Sequence, residues 1–322
     1  MLVGFHHTPL DALAELWNAC LPEGYKISEK QLRQNTVESP VFDWGASVVL
    51  IDYDAKPEGF VIVKQSASRL YKGPQADTAH ISAIVCPNNE TGVDLLSFVK
   101  NNLRNRGLYQ ITFGQDSRHF FAGCPMDYTT LKDLLTVEGF VAGGEYWDLQ
   151  SDLKEWQPLK PAIDRIKAGP EKVKVEPVKH DQIDHLEDFL KREFPQRWRY
   201  DTMGKIKTEG RADFVYALWV NGRVEGFALT QDAAQELLIA GAVFHEGLGT
   251  DWCTLGPIGV SQGIRGRGLG DSLLAASLLG LKERGKGMCT IDWTTLKDWY
   301  GKHGFEVSRS YASYTLKLEE SF

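Results

Sequence analysis

The sequence predicts an α+β protein built from two tandem units, each a mixed, mostly antiparallel sheet flanked by helices. Three observations carry this reading. The length of 322 residues suits two domains at roughly 100–200 residues each. A strand–loop–helix–strand unit occurs twice, in the same order and with the same stop signals. A tight-turn signal precedes the second occurrence, so antiparallel strands lead into a βαβ unit.

In the first half, Ile81-Ser82-Ala83-Ile84-Val85 reads as a strand. Leu95, Leu96, Phe98, Val99 and Leu103 follow at helical spacing, and Arg106-Gly107 stops the helix. Tyr109 to Phe113 reads as a buried strand, and a short helix bearing Leu131-Lys132-Asp133 ends in Gly139-Phe140. Relative to the second copy, this half carries an insertion that includes Phe120-Phe121-Ala122-Gly123-Cys124-Pro125. Residues 154–172, with Pro158, Pro161, Pro170 and several lysines, read as a linker with room for a helical turn. The expected domains are therefore 1–153 and 173–322.

The second half opens with a helical pattern around Ile183 to Phe194. Phe214 to Trp219 and Val224 to Leu229 flank Asn221-Gly222, a pair that accepts positive φ in a hairpin turn. Leu255 to Val260 reads as a strand, and Leu273, Leu274, Ser277, Leu278 and Leu281 as a helix stopped by Arg284-Gly285. Met288 to Ile291 reads as the next strand. A helix bearing Leu296-Lys297-Asp298 then ends in Gly304-Phe305, and Tyr311 to Leu318 reads as the final strand.

Composition narrows the function classes. Hydrophobic residues at 43%, charged at 25% and aromatic at 11% suffice for two cores and exclude wholesale disorder. Lys and Arg number 36 against 43 Asp and Glu, a net charge of −7, which argues against broad attraction to nucleic acid or anionic membrane. No stretch approaches the roughly 20 apolar residues of a bilayer span, and Met1 to His7 lacks a cationic flank and apolar signal core. A cytoplasmic protein is expected. The five cysteines, Cys20, Cys86, Cys124, Cys253 and Cys289, are odd in number and form no CxxC pair, so they are expected to be reduced core residues with no metal role.

Chemistry concentrates between the strand ending at Val260 and the helix expected to begin near Asp271. Arg265-Gly266-Arg267-Gly268-Leu269-Gly270 combines glycines that let backbone approach a phosphate, a helix N-terminus that favours its charge, and two cations. Such a turn suits a pyrophosphate. In the first half the equivalent Pro87-Asn88-Asn89-Glu90-Thr91-Gly92-Val93-Asp94 has one glycine, no cation and two acids, which would repel one.

Val260-Ser261-Gln262-Gly263-Ile264-Arg265-Gly266-Arg267-Gly268-Leu269-Gly270 resembles the acetyl-CoA signature (R/Q)xxGx(G/A) of the GCN5-related N-acetyltransferase (GNAT) superfamily. Tyr300-Gly301-Lys302-His303-Gly304-Phe305 is similar to the YxKxGF segment of that superfamily, in the right order and spacing. The motifs cover roughly residues 255–305 and the topology 173–322, with the first half resembling a degenerate copy. The resemblance implies two tandem GNAT-like domains, of which the second binds acetyl-CoA and the first does not. It implies that Ile258, Gly259 and Val260 lie on a splayed strand that holds pantetheine. It further implies that Arg265, Gly266, Arg267, Gly268, Leu269, Gly270 and Asp271 hold the pyrophosphate, and that Tyr300 protonates the leaving thiolate. Leu135 stands in the first copy where Tyr300 stands in the second. Asp292-Trp293-Thr294 replaces the Asn that relatives often carry at that point. The general base stays open among Glu225, His245, Glu246, Asp251 and a water chain.

Other patterns have simpler readings. Gly259-Val260-Ser261-Gln262-Gly263 fits the GxSxG elbow, but Ser261 is not placed at the head of its helix. Gly266, Gly268 and Gly270 hint at a dinucleotide fingerprint, but position six is Asp271 and too little chain follows. His180, Asp181, Asp184 and His185 read as a polar helix start rather than a metal site. Arg192, Arg197, Trp198 and Arg199 form a basic aromatic cluster in an expected loop, readable as plain surface or as recognition of an acidic acceptor. The expected activity is transfer of acetyl from acetyl-CoA to a primary amine, on a small molecule or a peptide, by direct attack in a ternary complex. The alternatives are a non-catalytic acyl-CoA sensor, or a tandem transferase acting on an aminoacyl or thiol-precursor substrate.

Overall fold

Apolar alternation and helical spacing produce elements where the sequence places them, with several additions. A computed structural model describes residues 1–65, 78–168 and 172–318; Pro170 of the expected linker lies outside them. The chain forms two compact units, Met1–Trp147 with the segment from Arg309 on, and Asp148–Ser308.

The first unit begins with β1 (Leu2–Gly4), α1 (Leu10–Cys20), α2 (Glu29–Asn35), β2 (Val48–Ile51) and β3 (Pro57–Gln65). The repeated unit follows as β4 (Thr78–Val85), α3 (Asn89–Asn105) and β5 (Gln110–Phe113). Next come β6 (Cys124–Pro125), within the expected insertion, α4 (Thr129–Val137) and β7 (Val141–Asp152). β4 and β5 pair in parallel, whereas β1–β2, β2–β3 and β3–β4 are antiparallel. All eight residues of β4 are buried, as expected of a strand covered on both faces. A buried ion pair lies in this unit: Lys64 Nζ is 2.7 Å from Asp116 Oδ2, and the carboxylate also accepts from Ser82 Oγ at 2.9 Å. Burial opposes the charge on Asp116, but Lys64, His80 and His119 overcome it and hold the carboxyl below its ordinary range.

The second unit starts within β7 and continues with α5 (Lys160–Ala168), β8 (Val173–Pro177), α6 (Ile183–Glu193) and α7 (Arg197–Glu209). The hairpin is β9 (Val215–Val220) and β10 (Arg223–Asp232), turned by Asn221 and Gly222 at φ 51° and 82°. Then come β11 (Cys253–Val260), α8 (Leu269–Glu283), β12 (Met288–Thr294), α9 (Lys297–Lys302) and β13 (Glu306–Lys317). The sheet runs β8-β9-β10-β11-β12-β7, with β11 and β12 parallel and β8 to β11 antiparallel. Alternation along β9 divides the core between its faces. Tyr216, Leu218 and Val220 pack with Leu269, Leu273 and Leu278 of α8, while Val215 and Ala217 pack with Leu186, Phe189 and Leu190 of α6.

Four local expectations change. The final strand, read as closing the second half, lies from Arg309 onward in the first unit, where Tyr314 to Lys317 pair with Phe113 to Gln110 of β5. The linker contains a docked helix, α5, whose Ala162 joins the core of the second unit and whose Ala162 carbonyl accepts from Ser272 Oγ at 2.7 Å. Arg197, Trp198 and Arg199 form the first turn of a helix rather than a loop. α8 starts at Leu269, ahead of Asp271, so Gly270 is already helical. The cysteines are free, and all but Cys20 are buried.

Tyr311, 1% exposed and paired with Pro125 in the first unit, tests this arrangement. Tyr311→Ala should cost about 3 kcal/mol of stability and lower the denaturant midpoint of that unit, as read by near-UV circular dichroism across a urea series.

Candidate active site

The site begins where two strands part. β11 and β12 pair only at Cys253/Cys289 and Thr254/Thr290, although β11 continues to Val260 and β12 to Thr294. On its other edge β11 stays joined to β10 through Ile258, Gly259 and Val260, opposite Ala228, Phe227 and Gly226. Beyond Thr254, the edge of β11 that faces β12 is therefore released from sheet pairing. Main-chain amides and carbonyls there can serve a ligand.

A cavity of about 870 Å³ opens at this point, within the range of roughly 300–1,000 Å³ common for ligand sites. Ile258, Gly259, Val260, Arg265, Gly266, Arg267, Gly268, Leu269, Gly270, Asp271 and Tyr300 all line it. The sequence-derived residues are thus brought together around one space. Gly259 is demanded by packing, since a Cβ there would lie 2.5 Å from Phe194 Cζ and 3.0 Å from Trp198 Cζ3.

The loop into α8 is shaped for an anion. Gly266 and Gly268 hold φ of 76° and 74°, a region that disfavours any side chain. Gly268 is the N-cap of α8 and supplies no side-chain cap, so the first amides of the helix have no partner within it and lie at the positive end of its dipole. Glu193 Oε2 accepts from the Gln262 amide at 3.1 Å and so anchors the turn that leads into the loop. Arg265 and Arg267 are exposed beside it.

Tyr300 stands on α9 with only 4% of its surface exposed, its ring 4.6 Å from Trp299 and 6.1 Å from Phe305. Burial, reinforced by Asp292 and Cys289, raises its hydroxyl far above the ordinary tyrosine range. The group therefore holds its proton at neutral pH. Asp271 is engaged by protein: its Oδ1 accepts from Trp299 Nε1 at 2.8 Å and lies 3.2 Å from His303 Nε2.

Six further residues line the cavity: Arg165, Phe194, Trp198, Ile264, Leu296 and Trp299. Trp198 belonged to the basic aromatic cluster, which the structure disperses. Arg197 lies 4.1 Å over the Trp293 ring and pairs with Asp201, Arg199 pairs with Glu187, and Arg192 pairs with Glu225. The candidate bases stand away from the lining. Glu225 is held by Arg192 and Arg223, Asp251 by Lys154, and His245 by the Ala242 carbonyl, while Glu246 is exposed. Ser261 is buried ahead of a short 3-10 turn and does not head α8. Among the described residues, no helix is long and apolar enough to cross a membrane.

No protein-family model and no curated protein sequence matches this chain. Solved structures do match in fold. The GCN5-related glucosamine N-acetyltransferase region of a fungal multi-domain GH3 β-N-acetylglucosaminidase aligns with a TM-score of 0.84 at 17% identity, covering 98% of this chain. The present chain spans only 38% of that protein. A GCN5-related N-acetyltransferase from Sphaerobacter thermophilus aligns at 0.70 with 16% identity, over 100% of this chain and 96% of that one. A tandem GNAT protein from the clavulanic acid biosynthesis pathway aligns at 0.66 with 12% identity, over 100% and 99%.

Gly270 gives a test of the loop, because it lines the cavity and a Cβ there meets only Trp299 Cζ2, at 3.8 Å. Gly270→Glu should preserve or raise thermal stability, since an acid in the first helical turn is favourable. The same charge should weaken binding of a diphosphate-bearing ligand about a hundredfold or more, measured by calorimetry with CoA as the probe.

Proposed function

We propose that this chain, which has the tandem GNAT fold, is an N-acetyltransferase that moves acetyl from acetyl-CoA to a primary amine by direct attack in a ternary complex. The chemistry is assigned to the second unit. One observation carries the reading: the released edge of β11, the glycine–arginine loop and Tyr300 share a single cavity. This donor set fits the coenzyme. Acetyl-CoA, when bound, supplies an acetyl group already activated as a thioester.

The chain's own residues divide the remaining work. Main-chain amides from Gly266 to Asp271, with Arg265 and Arg267, bind and neutralise the diphosphate. Ile258 to Val260 offer amides and carbonyls that would hold the pantetheine arm, and such an amide would stabilise charge that develops on the thioester oxygen. Phe194, Trp198 and Trp299 exclude water from this region and strengthen those interactions. Tyr300 Oη holds a proton that it can give to the departing thiolate. Because the four candidate bases do not line the cavity, we assign deprotonation of the incoming amine to solvent water at the cavity mouth.

The first unit repeats the βαβ arrangement without these features. The Asn88 side chain accepts from the Thr91 amide at 2.9 Å and caps α3 internally, and Leu135 is fully buried where the second copy has Tyr300. We assign it no coenzyme site. For the acceptor, the fungal neighbour named for glucosamine N-acetylation makes amino sugars the leading class in a panel that also holds peptide and aminoacyl amines.

The test is acceptor-dependent release of CoA thiol. Tyr300→Phe should lower kcat by roughly 10²–10⁴-fold while leaving the Kd for CoA unchanged. Equal and negligible turnover by both proteins, despite tight CoA binding, would replace this reading with a non-catalytic acyl-CoA sensor.

A further inference from the structure

We infer that Arg165, carried by the connector helix α5, is a third cationic ligand for the coenzyme diphosphate, so that the connector completes the anion loop. This rests on the coenzyme reading above. Arg165 lines the same cavity as Arg265 and Arg267. Its Cζ lies 2.3 Å from the point that a Cβ on Gly268 would occupy. The guanidinium therefore rests on the bare Cα of the helix N-cap, where an anion bound to the first amides of α8 would be within its reach.

The way the side chain is held supports a ligand role. Ser272 Oγ bonds to the Ala162 carbonyl at 2.7 Å, and Ala162 is 1% exposed, so α5 is docked against α8. From that helix, Arg165 Nη1 donates to the carbonyls of Pro161 and Gly268 at 3.2 and 3.4 Å and lies 3.9 Å from Asp271 Oδ2. Asp271 is itself fixed by Trp299 and His303. Among the described residues, every hydrogen bond drawn from the guanidinium leaves from Nη1. Nε and Nη2 form the planar edge that grips two phosphate oxygens side by side. A purely structural role is a poor explanation, because a half-exposed pair at this separation contributes little stability.

The experiment is calorimetry on the full chain with CoA and with dephospho-CoA, which lacks the 3′-phosphate, for the native protein, Arg165→Gln and Arg165→Lys. Arg165→Gln should lose about 10–100-fold in affinity for both ligands by the same factor, with an unchanged melting temperature in the absence of ligand. Arg165→Lys keeps the charge without the planar fork and should lose about three- to tenfold; it decides the matter if the Gln variant folds poorly. Native-like affinity in the variants would overturn the inference and leave the coenzyme reading standing. A loss seen with CoA but not with dephospho-CoA would also overturn it, by moving the contact to the 3′-phosphate. Failure of the native chain to bind either ligand would instead defeat the coenzyme reading itself.

Discussion

Two parallel strands that pair at only two positions set the geometry of the second unit. Once β11 and β12 part after Thr254 and Thr290, main-chain groups that would otherwise satisfy each other face an open space. That separation has a cost unless something satisfies the groups. A ligand with amide and carbonyl functions along its length is one solution. The cavity at the parting has the residues of the following loop on its wall. Strand, loop and helix are contiguous in sequence, so one local chain segment builds both the open strand edge and the glycine–arginine turn beside it.

The two units show what separates a fold from a site. Both contain a parallel pair crossed by a helix, with α3 and α8 in equivalent places. In the first, Asn88 satisfies an amide of its own helix; in the second, Gly268 brings no side chain and turns through positive φ. One amide at the head of the helix is thus satisfied by a protein side chain in the first unit and has no such cap in the second. Leu135 and Tyr300 differ in the same sense, because an apolar residue in that position packs and can do no proton chemistry. Shared topology with acetyltransferases at 12–17% identity therefore speaks to architecture, while chemistry depends on particular residues.

The connector changes character when seen folded. Its prolines and lysines suggest a spacer, yet Trp156 Nε1 donates to the His303 carbonyl at 2.7 Å and Lys282 Nζ donates to the carbonyls of Lys154 and Trp156 at 2.9 Å. A segment pinned at these points is part of the second unit's packing. It also brings a guanidinium to a loop that already has two, in a protein whose net charge is −7. Three cationic side chains, Arg165, Arg265 and Arg267, thus border one cavity.

Much of this was legible in one dimension because it is local. The strand, glycine loop and helix from Leu255 to Leu281, the Asn221-Gly222 turn and the position of Tyr300 depend on neighbours a few residues away, and alternation or turn chemistry reports them directly. Other features depend on partners far along the chain. β13 pairs with β5 across about two hundred residues, Arg165 meets Gly268 only because α5 docks on α8, and Trp198 reaches the cavity from a helix that polar periodicity hid. Hydrophobic patterning states that a face is buried but not what buries it, since apolar contact is non-directional. The sequence by itself determined the repeated unit and the chemistry of its loop; tertiary packing alone decided which strand closes which sheet and which distant side chains border the site.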